Sequence, residues 1–315
     1  MKIVFLDAGT LGSDIDFSGL TAFGKVAIYD STTEAQLPER IADANIIITN
    51  KVYLSAVDLA GAHHLVLICV TATGYDNVDI DYARSRGIAV CNVPGYSTDS
   101  VAGLTVSMAL SLAFRLKSYD NYCMSGAYAA SSVQNRVEPV FYELTGKTWG
   151  LYGYGSIGKR VAEIARSLGC NVMICRRTPE KDEQCVSLEE LFEKSDVISL
   201  HVPLTSITRH SINENVLCHA ARRPILVNTA RGAVLDEEAV VCAVKNGTLS
   251  GFATDVYDKE PLRATSPLTQ LYGCENVIFT PHMAWGAYEA RVRLIDEVCR
   301  NIEAFWRCEK RNRVL

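Results

Sequence analysis

"GLYGYGSIGKRVAEIARSLG", residues 150–169, decides the fold. A short apolar run ends in Gly153, Gly155 and Gly158, spaced as GxGxxG, and a segment of good helix formers follows. The first glycine permits a tight turn, the second lets backbone amides approach a pyrophosphate, and the third lets helix and strand pack closely. A helix opening at Ser156 and Ile157 turns the partial positive charge of its N-terminus toward that anion. Alone, the glycine spacing is a weak signal. Here an apolar run precedes it and "VMIC", residues 172–175, returns after the helix, so the unit reads as a dinucleotide site.

Working outward, the pattern repeats in both directions. Before residue 98 the runs "KIVFL", "KVAIY", "NIIIT", "HLVLICV" and "GIAVCNV" alternate with helix-length polar segments. After it come "TWGLYG", "NVMIC", "DVISLHV", "PILVNT", "GFATDV" and "NVIFTP". β-branched runs separated by crossover-length segments predict parallel sheets, and two such series predict two α/β domains. The last amphipathic segment, 286–308, is expected to pack back on the first module. The expected division is 1–97 with 286–315 for the first domain and 98–285 for the dinucleotide domain.

Composition narrows the function classes. The 315 residues carry 31 Lys and Arg against 36 Asp and Glu, a net charge of −5, which offers no general attraction to nucleic acid or anionic lipid. "SVAGLTVSMALSLAF", residues 100–114, is uncharged but too short for the roughly 20 residues of a bilayer span, so it reads as a buried helix. Gly103, Ser107 and Ser111 give it one small-residue face, suited either to a domain or subunit contact or to plain core packing. Eleven cysteines without a CxxC pair, most of them in apolar runs, predict free, buried thiols and a cytoplasmic setting. The opening "MKIVFLDAG" reads as a strand rather than a secretion signal.

The strand "VMIC" ends in Arg176, Arg177 and Thr178, where dinucleotide sites commonly carry an acid for the ribose 2′-hydroxyl. Two readings follow. Cationic forks and a hydroxyl suit a 2′-phosphate, hence NADP(H) over NAD(H); alternatively the arginines point to solvent and discriminate little, leaving NAD(H) possible.

Three motifs fall at the ends of the late strands: "VNTARGAVLDEEA", "GFATDVYDKEPL" and "FTPHMAWGAYEAR". Taken singly, Arg231 reads as a surface residue, Glu260 as a turn residue and His282 as a satisfied core histidine. Together they offer a carboxylate fork, an acid and a titratable imidazole beside a redox cofactor.

With "TATGYDNVDI", "NVPGYSTDSVA", "SDVISLHVPLT", "NTARG", "DVYDKEP" and "PHMAW" in order, nearly the whole chain resembles the D-isomer-specific 2-hydroxyacid dehydrogenases. "TNKVYL", "GYSTDSVA" and "HMAWGAYEAR" resemble most the glycerate dehydrogenase or hydroxypyruvate reductase branch. The resemblance implies a Rossmann domain inserted into a split flavodoxin-like substrate domain, a site in the cleft, and a homodimer built through the Rossmann domain. It implies Arg231, Glu260 and His282 as the catalytic set, and Thr73, Gly74, Lys51 and Trp285 at the substrate. Beside the glycine loop, it implies cofactor contacts from Thr98, His201, Pro203, Thr208, Thr229, Ala230 and Asp255. In that scheme Arg231 binds and polarises a 2-oxo acid, His282 protonates its carbonyl oxygen, and Glu260 favours the imidazolium and orients it.

Departures and rivals stand beside this. Relatives often read "SVAEHT" where Gly103 and Leu104 stand here, which bears on the dimer contact or one edge of the site. "MSGAYAASSVQNRV", residues 124–137, lacks a tryptophan common in the branch. A nucleotide-sensing corepressor of the same fold is the rival from another class, but neither a partner-binding tail nor a basic arm accompanies the two domains. Within the enzymes, hydroxypyruvate or glyoxylate is the favoured substrate and a bulkier 2-hydroxy acid the alternative. A formate dehydrogenase would carry glutamine at Glu260, and a biosynthetic 3-phosphoglycerate dehydrogenase would carry a regulatory domain.

Overall fold

The computed structural model describes residues 1–178 and 185–315. Each of the eleven runs read as strands contains one, and the chain forms two compact units, Met1–Ser97 with Gly286–Leu315, and Thr98–Trp285.

In the first unit β1 (Lys2–Phe5), β2 (Lys25–Ile28), β3 (Ile46–Thr49), β4 (Leu67–Val70) and β5 (Ala89–Cys91) form one parallel sheet in the order β2-β1-β3-β4-β5. Helices α1 (Leu37–Ile41), α2 (Ala56–Gly61) and α3 (Ile80–Ser85) make crossovers. All four residues of β3 and of β4 are buried, as expected of central strands covered on both faces.

The second unit continues with α4 (Thr98–Ala113), α5 (Leu116–Met124), β6 (Thr148–Tyr152), α6 (Ser156–Ser167), β7 (Asn171–Cys175), α7 (Leu188–Lys194) and β8 (Val197–Leu200). It closes with α8 (Glu214–Leu217), β9 (Ile225–Asn228), α9 (Glu237–Lys245), β10 (Gly251–Thr254) and β11 (Val277–Phe279). All six strands are parallel in the order β11-β10-β9-β8-β6-β7. One face carries α4 and α6 over Trp149, Leu151, Val227 and Ala253; the other carries α7, α8 and α9 over Ile198, Leu226 and Phe252. The chain then returns to the first unit as α10 (Tyr288–Trp306), whose buried Asn301 donates from Nδ2 to Asn92 O at 3.0 Å.

Two expectations differ from the structure. Only Cys69, Cys91 and Cys170 are buried, while Cys123, Cys218, Cys242 and Cys308 are exposed, so helix faces and ends, not apolar runs alone, set thiol burial. The uncharged segment belongs to a helix that starts earlier, at Thr98, and takes in Asp99, whose carboxylate meets Arg160 at 2.8 Å. Arg115, at φ 54°, breaks that helix from α5. Its Gly103 has open space around the Cβ position and Ser107 is exposed, so the small-residue face is not core packing. Among the described residues no single helix is long and apolar enough to cross a membrane.

At the C-terminal edge of the first sheet a buried carboxylate organises the loops. Asp7, 3% exposed, follows β1, and its oxygens accept the amides of Asn50 (2.8 Å), Lys51 (2.6 Å) and Val52 (3.1 Å). Burial raises the Asp7 pKa, against the opposing pull of those amides. Asn77 donates to the carbonyls of Asn50 and Val52, and Asn92 donates to that of Thr73. Asp7→Ala leaves these donors without an acceptor and is expected to cost about 2–4 kcal/mol. Urea unfolding measures this, and a loss below about 0.5 kcal/mol would contradict the role.

Candidate active site

Strand order alone places a crevice in the second unit. The sheet grows from β6 to β7 on one side and to β8 on the other, and the carboxyl ends flanking such a switch point are where open α/β sheets bind ligands. The glycine loop leaves β6 there and His201 leaves β8. A Cβ on Gly153, at φ +98°, would lie 2.6 Å from the His201 carbonyl carbon, and one on Gly158 would lie 2.4 Å from the Gly153 carbonyl oxygen. Around the Cβ position of Gly155 there is only open space. The loop is therefore compressed against protein at its first and third glycines and open at the second. Gly155 and Ser156 are exposed, and no side chain caps α6, so its first amides face outward. This cradle fits a pyrophosphate.

Arg176 is half-buried at the end of β7, with Arg177 and Thr178 exposed beside it. Thr98 opens α4, and Thr229 shares a 2.8 Å hydroxyl contact with Thr105 of that helix. Pro203 accepts at its carbonyl from Thr208 Oγ1 at 2.6 Å, so the Thr208 hydroxyl folds its own loop. Lys51, Thr73 and Gly74 belong to the first unit, on the loops after β3 and β4.

The three candidate catalytic side chains arise from the ends of three neighbouring strands. Arg231 follows β9, Glu260 follows β10 and His282 follows β11. Buried Asn228 turns the first loop: its Oδ1 accepts the Ala230 amide at 3.0 Å and its Nδ2 donates to the Arg231 carbonyl at 3.0 Å. Next comes Gly232, where a Cβ would sit 1.8 Å from the Tyr257 carbonyl carbon. Only a glycine allows the Arg231 loop to lie directly on the backbone of the loop that carries Glu260.

Buried Asp255, 1% exposed, fixes the third loop. Its Oδ1 accepts from Thr280 Oγ1 (2.5 Å) and the Met283 amide (2.8 Å), its Oδ2 from the Ala284 amide (2.9 Å), and its carbonyl from the His282 amide (2.8 Å). Tyr257 links the second loop to the third by donating its hydroxyl to the Thr280 carbonyl at 2.8 Å; burial raises its pKa to about 12, so it stays a donor. Ala230, at 8% exposure, is packed inside, and Trp285 is half-buried.

Within this frame His282, at φ +53°, brings Nδ1 to 2.5 Å from Glu260 Oε2. The other carboxylate oxygen, Oε1, accepts the Tyr257 amide at 3.1 Å. A carboxylate anchored to backbone and bonded to Nδ1 leaves Nε2 as the working nitrogen of the ring. Chemically the group can move a proton at Nε2 and hold an anion at the guanidinium. Sequence reasoning missed Asn228, Gly232, Tyr257 and the loop-pinning parts played by Asp7 and Asp255; their only linear signal is a position just beyond a strand.

Comparison with known proteins supplies the family. Residues 106–284 match the family model described as D-isomer specific 2-hydroxyacid dehydrogenase, NAD binding domain. The chain is 33% identical over 97% of both chains to a hydroxypyruvate reductase of Blautia hydrogenotrophica. It is 36% identical over 96% of both to a glycerate dehydrogenase of Methylorubrum extorquens. The TT0316 protein from Thermus thermophilus superposes with a TM-score of 0.90 over 100% of both chains, at 32% identity. A glycine cradle at the switch point, an acid–imidazole pair and an arginine on adjoining strand ends, and matches spanning the chain make it a member of the D-isomer-specific 2-hydroxyacid dehydrogenase family, an oxidoreductase acting on CH–OH donors with a nicotinamide cofactor.

Proposed function

We propose that the chain reduces a short 2-oxo acid, hydroxypyruvate or glyoxylate, to the D-2-hydroxy acid, with NADPH preferred over NADH. The observation that carries this is the Glu260–His282 pair at 2.5 Å beside the Arg231 loop. Similarity to a hydroxypyruvate reductase and a glycerate dehydrogenase supports the substrate class.

A nicotinamide dinucleotide would be held by Gly153, Gly155, Ser156, Ile157 and Gly158 at its pyrophosphate, and Thr98, His201, Pro203, Thr208, Thr229, Ala230 and Asp255 would be its further contacts. Bound there, it supplies the hydride. Arg231 grips the substrate carboxylate and polarises the carbonyl, concentrating positive charge where the oxyanion develops. His282 gives its Nε2 proton to the carbonyl oxygen, and Glu260 holds the ring in the orientation and charge state for that transfer. The resemblance to the family adds Thr73 and Gly74, whose backbone amides would meet the carboxylate, and Lys51 and Trp285 as further substrate contacts. The short-chain preference rests on the relatives.

In this reading the enzyme is a homodimer. Met124 (79% exposed), Val137 (66%) and Tyr142 (66%) lie on the segment after α4, and α4 presents its open small-residue face; exposed apolar surface of this kind marks a contact.

His282→Ala is expected to lower kcat roughly 100- to 10,000-fold with KM little changed. Arg231→Ala is expected to lower kcat and raise KM together. Steady-state reduction of hydroxypyruvate checks both, and His282→Ala at wild-type rate would overturn the roles. For the cofactor, kcat/KM with NADPH should exceed that with NADH, and Arg176→Ala and Arg177→Ala should each narrow the ratio about tenfold, the worth of one charge-assisted hydrogen bond. A wild-type preference for NADH would contradict the reading of the arginines.

A further inference from the structure

Beneath the glycine loop lies a chain of three polar side chains that the reaction chemistry does not use. Trp149 and Ser199 are both 0% exposed. The Trp149 indole Nε1–H donates to Ser199 Oγ at 2.9 Å, and Ser199 Oγ lies 2.9 Å from His201 Nε2. An indole nitrogen can only donate, so the direction of the first bond is fixed. The Ser199 hydroxyl then has one proton to place, and His201 Nε2 is its only other hydrogen-bond partner among the described residues. If Nε2 carried a proton, the buried serine O–H would have no acceptor. The polar chain is complete only when Nε2 is the bare nitrogen and the imidazole proton sits on Nδ1.

Two further facts agree. Burial alone lowers the His201 pKa to about 3, which keeps the ring neutral under working conditions. Nδ1 has no hydrogen-bond partner among the described residues, yet it is not among the buried atoms left without one. The residue's backbone is pressed against Gly153 and its Cβ would lie 3.7 Å from a Cβ on Gly158. The free N–H therefore belongs to the residue that flanks the switch-point crevice.

We propose that Trp149 and Ser199 are positioning residues that lock His201 as a neutral Nδ1–H tautomer, making it an uncharged hydrogen-bond donor to a phosphate or ribose oxygen of the bound dinucleotide. The donor role rests on the dinucleotide reading given above. A neutral donor holds the cofactor without adding a charge that changes with pH, so affinity at this contact stays constant where an ordinary histidine would titrate.

Long-range proton–nitrogen correlation spectra of the protein labelled with ¹⁵N-histidine test this directly, with His201→Gln assigning the signal among the six histidines. The wild-type His201 signal should show one protonated Nδ1 and one bare Nε2, unchanged between about pH 5 and 8. NADPH should shift the Nδ1 resonance. Trp149→Phe removes the donor that orients the Ser199 hydroxyl, so the second tautomer should begin to appear beside the first. Ser199→Ala should do the same and raise the cofactor KM roughly two- to tenfold, the scale of one weakened hydrogen bond, with kcat changed less. An Nε2–H signal in the wild type, titration inside that range, or an Nδ1 resonance indifferent to saturating NADPH would overturn the proposal, whatever the variants do. Absence of cofactor saturation in the wild type would instead overturn the dinucleotide reading, and the donor role with it.

Discussion

At position 232 there is no room for a methyl group. The Arg231 loop and the loop bearing Glu260 are stacked backbone on backbone at Gly232, so arginine and acid are held by a contact that no side chain mediates. Asp255 extends the constraint to the third loop by accepting hydrogen bonds from Thr280, Met283 and Ala284. Each loop leaves the carboxyl end of a parallel strand, and β9, β10 and β11 are adjacent. The sheet thus fixes the spacing of the loops, and the buried carboxylate and the glycine fix how they lie on one another. Sites that hold their reacting groups this rigidly draw much of their rate advantage from it.

The same device serves the first unit. Asp7 accepts three successive amides of the loop after β3, as Asp255 accepts two in the loop after β11. A carboxylate buried one or two residues beyond a strand offers several lone pairs in a small volume, and its desolvation is offset by amides that would otherwise lack acceptors. Both units use it at the edge where the loops carry candidate ligand contacts. On the far side of the second sheet's switch point, the Trp149–Ser199–His201 chain handles a histidine in the opposite manner from Glu260–His282. One ring is bonded to a buried hydroxyl and kept neutral by desolvation; the other is bonded to a carboxylate.

Much of this is legible in the sequence because it is written in local patterns. Runs such as "NIIIT" and "PILVNT" read as buried strands, and every such run is a strand, in two parallel sheets. The glycine spacing announces its cradle, and the ordered motifs announce the family. What local pattern does not carry is convergence. Nothing near Gly232 in the chain says that Tyr257 lies against it, since that contact is made between the loops of two strands. Asp255 reads as a cofactor contact, and nothing in the linear pattern says that its carboxylate also pins the third loop. The cysteines depart from expectation for a related reason: Cys242 sits in an apolar stretch but on the exposed side of α9, a distinction of helical phase rather than composition.

The backbone contact at Gly232 is the element that holds Arg231 in register with Glu260 and His282. The most direct measurement is kcat/KM for 2-oxo acid reduction by Gly232→Ala, on protein shown by circular dichroism to be folded. Displacing the loops by about 1 Å should lower kcat/KM on the order of 100-fold. Wild-type kcat/KM in a folded Gly232→Ala enzyme would contradict it.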